Sequence, residues 1–216
     1  MFLEDLPQFL AVGSVSVALP CICAEFFTIS YLLFLILIEP AHSILYQCSM
    51  VDVKSLLEGC DRLVGLNITS VGGTMVNDHN CDVLLPKQVF IEEPLYQYGF
   101  ADSKKFYSIL MVDPDAPPQI EGEFYLHMIK SNIPGVGLKA KETSKTVGID
   151  YRGYKPPTPS RGSGMHRYLN LLYEQADGNN FLPSVPSSRS RFHLTNWLRG
   201  KNLCGPIAAT QFRVQY

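Results

Sequence analysis

Apolar positions along this chain fall in short, dense groups separated by turn formers. Segments 83–91, 106–112, 124–131 and 168–174 are rich in β-branched and aromatic residues. Between and around them stand Gly72-Gly73, Asn77-Asp78, Glu93-Pro94, Tyr98-Gly99, Pro134-Gly135, the 156–164 run and Asp177-Gly178. Short strands with such punctuation predict a mainly β fold, a sandwich or barrel. Segment 106–112 is apolar at nearly every position, as a strand buried on both faces would be. Segment 124–131 sets His127 among apolar neighbours, and 206–214 reads as a closing strand. Two helices are predicted, over 52–60 and 191–200, the second with Phe192, Leu194 and Trp197 on nearby faces.

The N-terminal segment 1–43 follows another pattern. Residues 26–38 form an uncharged apolar run, too short for a membrane span and suited to the hydrophobic region of a signal peptide. Ala41 and Ser43 offer the small residues a signal peptidase reads. The stretch before the run is long and acidic, and it contains Pro7, Pro20 and Glu25, unlike the short basic start of a standard signal. Three readings follow: a cleaved secretory signal, which leads; a start placed too early, with an ordinary signal inside and a cytoplasmic alternative; and a retained anchor, which Pro20 and Glu25 oppose. The division expected is a targeting segment, 1–43, and a single domain, 44–216.

Composition sharpens this division. With 46% hydrophobic and 18% charged residues, the chain has material for a sizeable core, and wholesale disorder is excluded. The net charge is -2, yet segment 1–43 carries Glu4, Asp5, Glu25 and Glu39 without a single Lys or Arg; the remainder holds 18 basic against 16 acidic side chains. No basic run exists, so nucleic acid is not an expected partner. Outside the segment expected to be lost stand Cys48, Cys60, Cys81 and Cys204, an even number with three alternative pairings and no C-x-x-C unit for a zinc ribbon. Asn67-Ile68-Thr69 is a glycosylation sequon that matters only in the secretory pathway.

Candidate chemistry gathers in three places. Asp113-Pro114-Asp115-Ala116-Pro117-Pro118 follows the buried strand, where proline ends the ladder and two aspartates share one turn. Either aspartate also suits the commoner task of capping turn N–H groups. Ala116-Pro117 is a candidate cis bond. The second place is Gly162-Ser163-Gly164-Met165-His166-Arg167-Tyr168: in a strand, His166 and Tyr168 share one face, and Arg167 takes the other, where an aspartate can pair with it. The third is His127, which alone reads as a hydrogen-bonded core histidine. Together these groups suit a small anion site with imidazole and phenol donors, and two histidines with a carboxylate also match the ligand inventory of an iron site. No P-loop lysine pattern or G-x-S-x-G elbow accompanies them.

These motifs resemble those of the phosphatidylethanolamine-binding protein family. The resemblance rests on Asp113-Pro114-Asp115-Ala116-Pro117, the strand holding His127, and the 162–168 motif. Leu85-Pro86, Leu172-Tyr173-Glu174-Gln175, Arg191-Phe192 and Pro206-Ile207-Ala208-Ala209 follow in family order. It implies a large antiparallel sheet, a smaller second sheet, a few flanking helices, and a pocket accepting phosphate, acetate or a phosphoethanolamine headgroup. The implied ligand-binding set is Asp113, His127, His166 and Tyr168, with backbone from Gly164 and Met165 in the wall. Asp115 and Arg167 become supporting members, and Pro117 matches a family cis-proline. The 151–164 stretch is about three residues longer than usual, Ser160 stands where proline is common, and Leu126 stands where many members carry an aromatic or histidine. The sequence stops at Tyr216, where many animal members continue into a helix over the pocket mouth, so either a more open pocket or a truncated chain is expected.

The leading expectation is a secreted, non-enzymatic binding module for a phospholipid headgroup or a phosphorylated small ligand, with no cofactor, no metal and at most peripheral membrane contact. The alternative is an inhibitor of a kinase or serine protease acting through the pocket rim. A metal-dependent enzyme built on His127, His166 and Asp113 ranks last.

Overall fold

The apolar run at 106–112 becomes strand β5 (Phe106–Asp113), buried at every position after the first. In the computed structural model, which describes residues 53–57, 59–60, 65–140, 145–176, 178, 181 and 183–216, β5 lies between two long strands, β6 (Glu123–Pro134) and β8 (Met165–Gln175). Its side chains alternate between two cores. Tyr107, Ile109 and Met111 enter one, while Leu110 and Val112 enter the other. A strand covered on both faces has no polar face to show, which is why its sequence lacks alternation.

The described residues lie in the unit Cys48–Tyr216. Segment 1–43, with its three targeting readings, falls outside them, as does Cys48. Among the described residues no helix is long and apolar enough to cross a membrane.

The large sheet runs β3 (Val83–Leu85), β10 (Leu203–Gln215), β8, β5, β6, β7 (Ile149–Arg152), with β9 (Phe192–His193) pairing β6 off this path. It is mixed, where a wholly antiparallel sheet was implied, because β3 runs parallel to β10 at the edge. Asp82, just before β3, binds the Arg213 guanidinium through both oxygens and accepts from Gln211 Nε2 at 3.0 Å, which fixes that edge. Cys60 and Cys81 form a disulfide beside it, and Cys204 is disulfide-bonded as well.

The smaller sheet, β2 (Met75–Val76), β1 (Leu66–Thr69) and β4 (Leu95–Tyr98), is antiparallel. Leu66, Ile68, Val76 and Tyr96 pack from it onto one face of the large sheet. The opposite face is covered by α1 (Val53–Leu56) and α3 (Leu194–Leu198), through Val53, Leu56, Leu194, Trp197 and Leu198. Burying each such large side chain contributes about 1.5–3 kcal/mol. Asn67 and Thr69 of the sequon alternate with buried Leu66 and Ile68, so they lie on the half-exposed face of β1.

Several segments differ from the sequence reading. The strand expected over 83–91 stops at Leu85, because Pro86 cannot donate to a ladder and Val89 N–H turns back to Pro86 O. Phe90 instead packs on Phe212 with ring centroids 4.5 Å apart. Segment 191–200 divides into β9 and the short α3, since Phe192 and His193 pair with Phe124 and Glu123. Pro134-Gly135, read as a turn, opens α2 (Gly135–Lys139). A Cβ at Gly135 would stand 2.0 Å from Asp102 O, so only glycine permits this approach.

Candidate functional site

β5 delivers Asp113 at its C-terminal end, and β8 delivers His166 and Tyr168 two residues apart on one face. Asp113 is 3% exposed. Its Oδ2 lies 2.8 Å from His166 Nδ1, and its Oδ1 accepts the Asp115 N–H at 2.8 Å. Burial raises the Asp113 carboxyl above its ordinary range, and the hydrogen bond from His166 only partly opposes this.

The other His166 nitrogen, Nε2, lies 2.7 Å from Ser163 Oγ, which is also 2.7 Å from Ser160 O. A carbonyl only accepts, so the single hydroxyl hydrogen of Ser163 goes to Ser160, and His166 Nε2 donates to Ser163. The second proton then sits in the bond between His166 Nδ1 and Asp113 Oδ2. On either atom, the Asp113–His166 pair is neutral as a unit.

β6 delivers His127, whose Nδ1 donates to Lys155 O at 2.7 Å, while Lys155 N–H donates to His127 O at 3.0 Å. With Nδ1 committed as donor, Nε2 keeps a lone pair that has no hydrogen-bond partner among the described residues. Burial pushes the imidazole down to about 4, with the Lys155 carbonyl acting against the shift and the charges of Arg189, Lys155 and His166 adding to it. Arg189 holds this corner together: its guanidinium donates to the carbonyls of Leu126 at 3.0 Å, His127 at 2.6 Å and Gly153 at 2.6 Å. Tyr168 meets His127 edge-on with centroids 5.1 Å apart and stacks on Phe212 behind it. Burial raises the Tyr168 phenol well above its ordinary value, which keeps it a hydrogen-bond donor.

These groups enclose a cavity of about 210 Å³. Asp113, His127, His166 and Tyr168, expected to form one site, all line it. Gly164 and Met165 do not: both are exposed at the entry to β8, and Thr158 and Ser160 take the wall position together with Ala116, Pro117, Tyr125 and Lys155. Asp115 and Arg167 pair beside the cavity. Arg167 Nε donates to Asp115 Oδ2 and Nη2 to Oδ1, each at 2.8 Å, and Nη1 donates to Leu57 O at 3.0 Å. Burial would raise Asp115, but the Arg167 hydrogen bonds and charge outweigh it and hold the carboxyl below its ordinary value. The cis bond expected at Ala116–Pro117 lies one residue on, at Pro117–Pro118, and Gly205–Pro206 is also cis. The ring of each proline makes the bond before it a tertiary amide, so both X-Pro bonds of this run share one chemistry and the sequence did not separate them.

Sequence reasoning missed Tyr125, Lys155, Thr158, Ser163 and Arg189. Tyr125 had a signal, since it stands two residues from His127 in one strand and so shares its face. Arg189 and Lys155 had none, because backbone carbonyls and a distant loop bring them in. Among the described residues no group of three or more His, Cys, Asp or Glu is arranged to hold a metal ion. A wider hollow of about 610 Å³ beside the Asp115–Arg167 pair carries Glu121 and Glu123 on its walls.

A two-sheet β fold with a small polar pocket lined by Asp113, Tyr125, His127, Lys155, His166 and Tyr168 defines the class of protein. Residues 85–212 match the profile described as phosphatidylethanolamine-binding protein. CEN-like protein 1 of Nicotiana tabacum is 30% identical over 166 residues, covering 76% of this chain and 87% of the relative. Among solved structures, a carboxypeptidase Y inhibitor complexed with its cognate proteinase aligns with a TM-score of 0.57 at 16% identity, over 76% of this chain and 89% of that one. The phosphatidylethanolamine-binding protein of Plasmodium vivax aligns at 0.52 and 18%, over 69% and 84%. The chain belongs to the phosphatidylethanolamine-binding protein family.

Proposed function

We propose that this protein is a non-enzymatic receptor for phosphate-bearing ligands, with a phosphoethanolamine-type headgroup as the reference ligand. The observation that carries this reading is the convergence of Asp113, His127, His166 and Tyr168 on one cavity of about 210 Å³, a size suited to a phosphate and a few attached atoms. His166 Nε2–H and the Tyr168 hydroxyl supply donors, and the neutral Asp113–His166 pair adds no opposing charge. Titration of phosphoethanolamine into the full chain, followed by NMR, is expected to give saturable shifts at His127, His166 and Tyr168, and His166→Phe is expected to remove them. Identical titration curves for parent and variant would reject the pocket.

Secretion is the proposed destination. The Cys60–Cys81 disulfide and the outward face of the Asn67 sequon support it. Intact mass of the natural protein tests it: loss of the first 43 residues and a glycan mass are expected, and an intact start at Met1 would reject cleavage.

A second reading, inhibition of a kinase or protease, is favoured by the extended segment 153–160, which carries exposed Lys155, Thr158 and Ser160 over the cavity. Removal of residues 158–160 is expected to abolish capture of such a partner under this reading, and full retention would reject it.

A further inference from the structure

The charges around the cavity do not cancel. Asp113 and His166 are neutral together, and the Tyr125 and Tyr168 phenols carry no charge. Asp115 and Arg167 neutralise one another outside the wall. Among the described residues, the Arg189 and Lys155 side chains bring positive charge to bear on His127. Arg189 is committed to three backbone carbonyls behind His127. Lys155 lines the cavity itself, is exposed, and pairs with no carboxylate among the described residues. Its Nζ donates to Tyr125 OH at 2.8 Å and lies 5.2 Å from the centre of that ring, so the ammonium is held over the cavity wall. Beside it, His127 Nε2 offers an acceptor that no group of the described residues fills.

A ligand that answers these features offers negative charge to Lys155 and, in an accessible protonation state, a hydrogen to His127 Nε2. A terminal phosphomonoester does each in one of its two ionisation states, which interconvert at about pH 6: the dianion brings Lys155 a second negative charge, and the monoanion brings His127 Nε2 a P–OH. A phosphodiester has one charge and no P–OH, and a zwitterionic diester adds an ammonium that Lys155 repels. We infer that the cavity selects terminal phosphomonoesters over phosphodiesters, with Lys155 as the residue that sets the preference. The inference rests on the phosphate-receptor reading above.

The test is calorimetric titration of the full chain at pH 6.5 with ethyl phosphate, diethyl phosphate and short-chain phosphatidic acid. Ethyl phosphate is expected to bind about tenfold tighter than diethyl phosphate, the scale of one charge-assisted hydrogen bond. Lys155→Met is expected to erase most of that ratio by weakening the monoester alone, and Lys155→Arg to keep it. The backbone contacts of Lys155 to His127 survive either change, so the fold is retained. Equal affinities in the parent, or an unchanged ratio in Lys155→Met, would overturn the preference while leaving the receptor reading intact. Failure of both ethyl esters to bind the parent would overturn both. Phosphatidic acid binding as tightly as ethyl phosphate would support a monoester carried on lipid. Much weaker binding of that lipid, with the ethyl phosphate preference retained, would support a small soluble one.

Discussion

Ser163 Oγ occupies His166 Nε2 at 2.7 Å, the nitrogen through which His166 would reach a bound phosphate. Ser160 O receives the Ser163 hydrogen, so the 160–163 turn closes on the histidine as a small internal cap. Binding through Nε2 must first release this cap. Ser163→Ala is therefore expected to tighten phosphate binding by about threefold to tenfold, the net worth of one neutral hydrogen bond. Unchanged or weaker affinity by titration would show that Ser163 does not compete for that nitrogen.

His127 makes the fold sensitive to acid. The unfolded histidine titrates near 6.5 and the folded one near 4, so the unfolded state holds the extra proton between those values. Stability is expected to fall by about 3 kcal/mol as the pH drops from 6.5 to 4, at about 1.4 kcal/mol per unit of difference. Asp113 works the other way, since its raised carboxyl favours the folded state until the pH climbs through its folded value. Urea unfolding across this range checks the sign, and His127→Gln, which keeps a donor for Lys155 O, is expected to flatten the slope.

Arg167 ties the end of β5 to the segment after α1 through Asp115 and Leu57 O. Arg167→Met is expected to lower stability by about 2 kcal/mol, the range of charge-assisted hydrogen bonds, moderated by partial exposure of both partners. The Asp115 contribution is present above the ordinary aspartate range and is lost as the pH falls below it. A loss in urea unfolding at pH 7 that persists undiminished at pH 3 would contradict this assignment.

The Cys60–Cys81 disulfide spans 21 residues and closes the loop that leads into β3. Replacing both cysteines by serine is expected to cost about 3 kcal/mol through the freed unfolded chain. A thermal midpoint equal to the parent would show that the Asp82–Arg213 and Gln211 contacts hold this edge by themselves.

Much of the sheet was legible along the chain. Segments 106–112, 124–131, 168–174 and 206–214 all became long strands, because central strands buried on both faces need nearly continuous apolar runs. The short strands β1, β2, β4 and β7 were not read: two to four residues carry too little periodicity, and Tyr98-Gly99 or Asn77-Asp78 showed only where they end. Leu85-Pro86 misled in the other direction, since the apolar residues after the proline belong to a turn that drops Phe90 into the core.

The candidate site divides the same way. Chain order alone placed Asp113 at a strand end, set His166 and Tyr168 on one face with Arg167 on the other, and marked His127 as a buried imidazole, because proline stops a ladder and side chains alternate along a strand. Tertiary structure decided which hydrogen bonds these groups make. Lys155 O commits one nitrogen of His127, Ser163 and Asp113 commit both of His166, and Arg189 binds three carbonyls far from it in sequence. Proton positions and local charge depend on such distances at the ångström scale, and only the packed arrangement of β5, β6, β8 and their loops sets them.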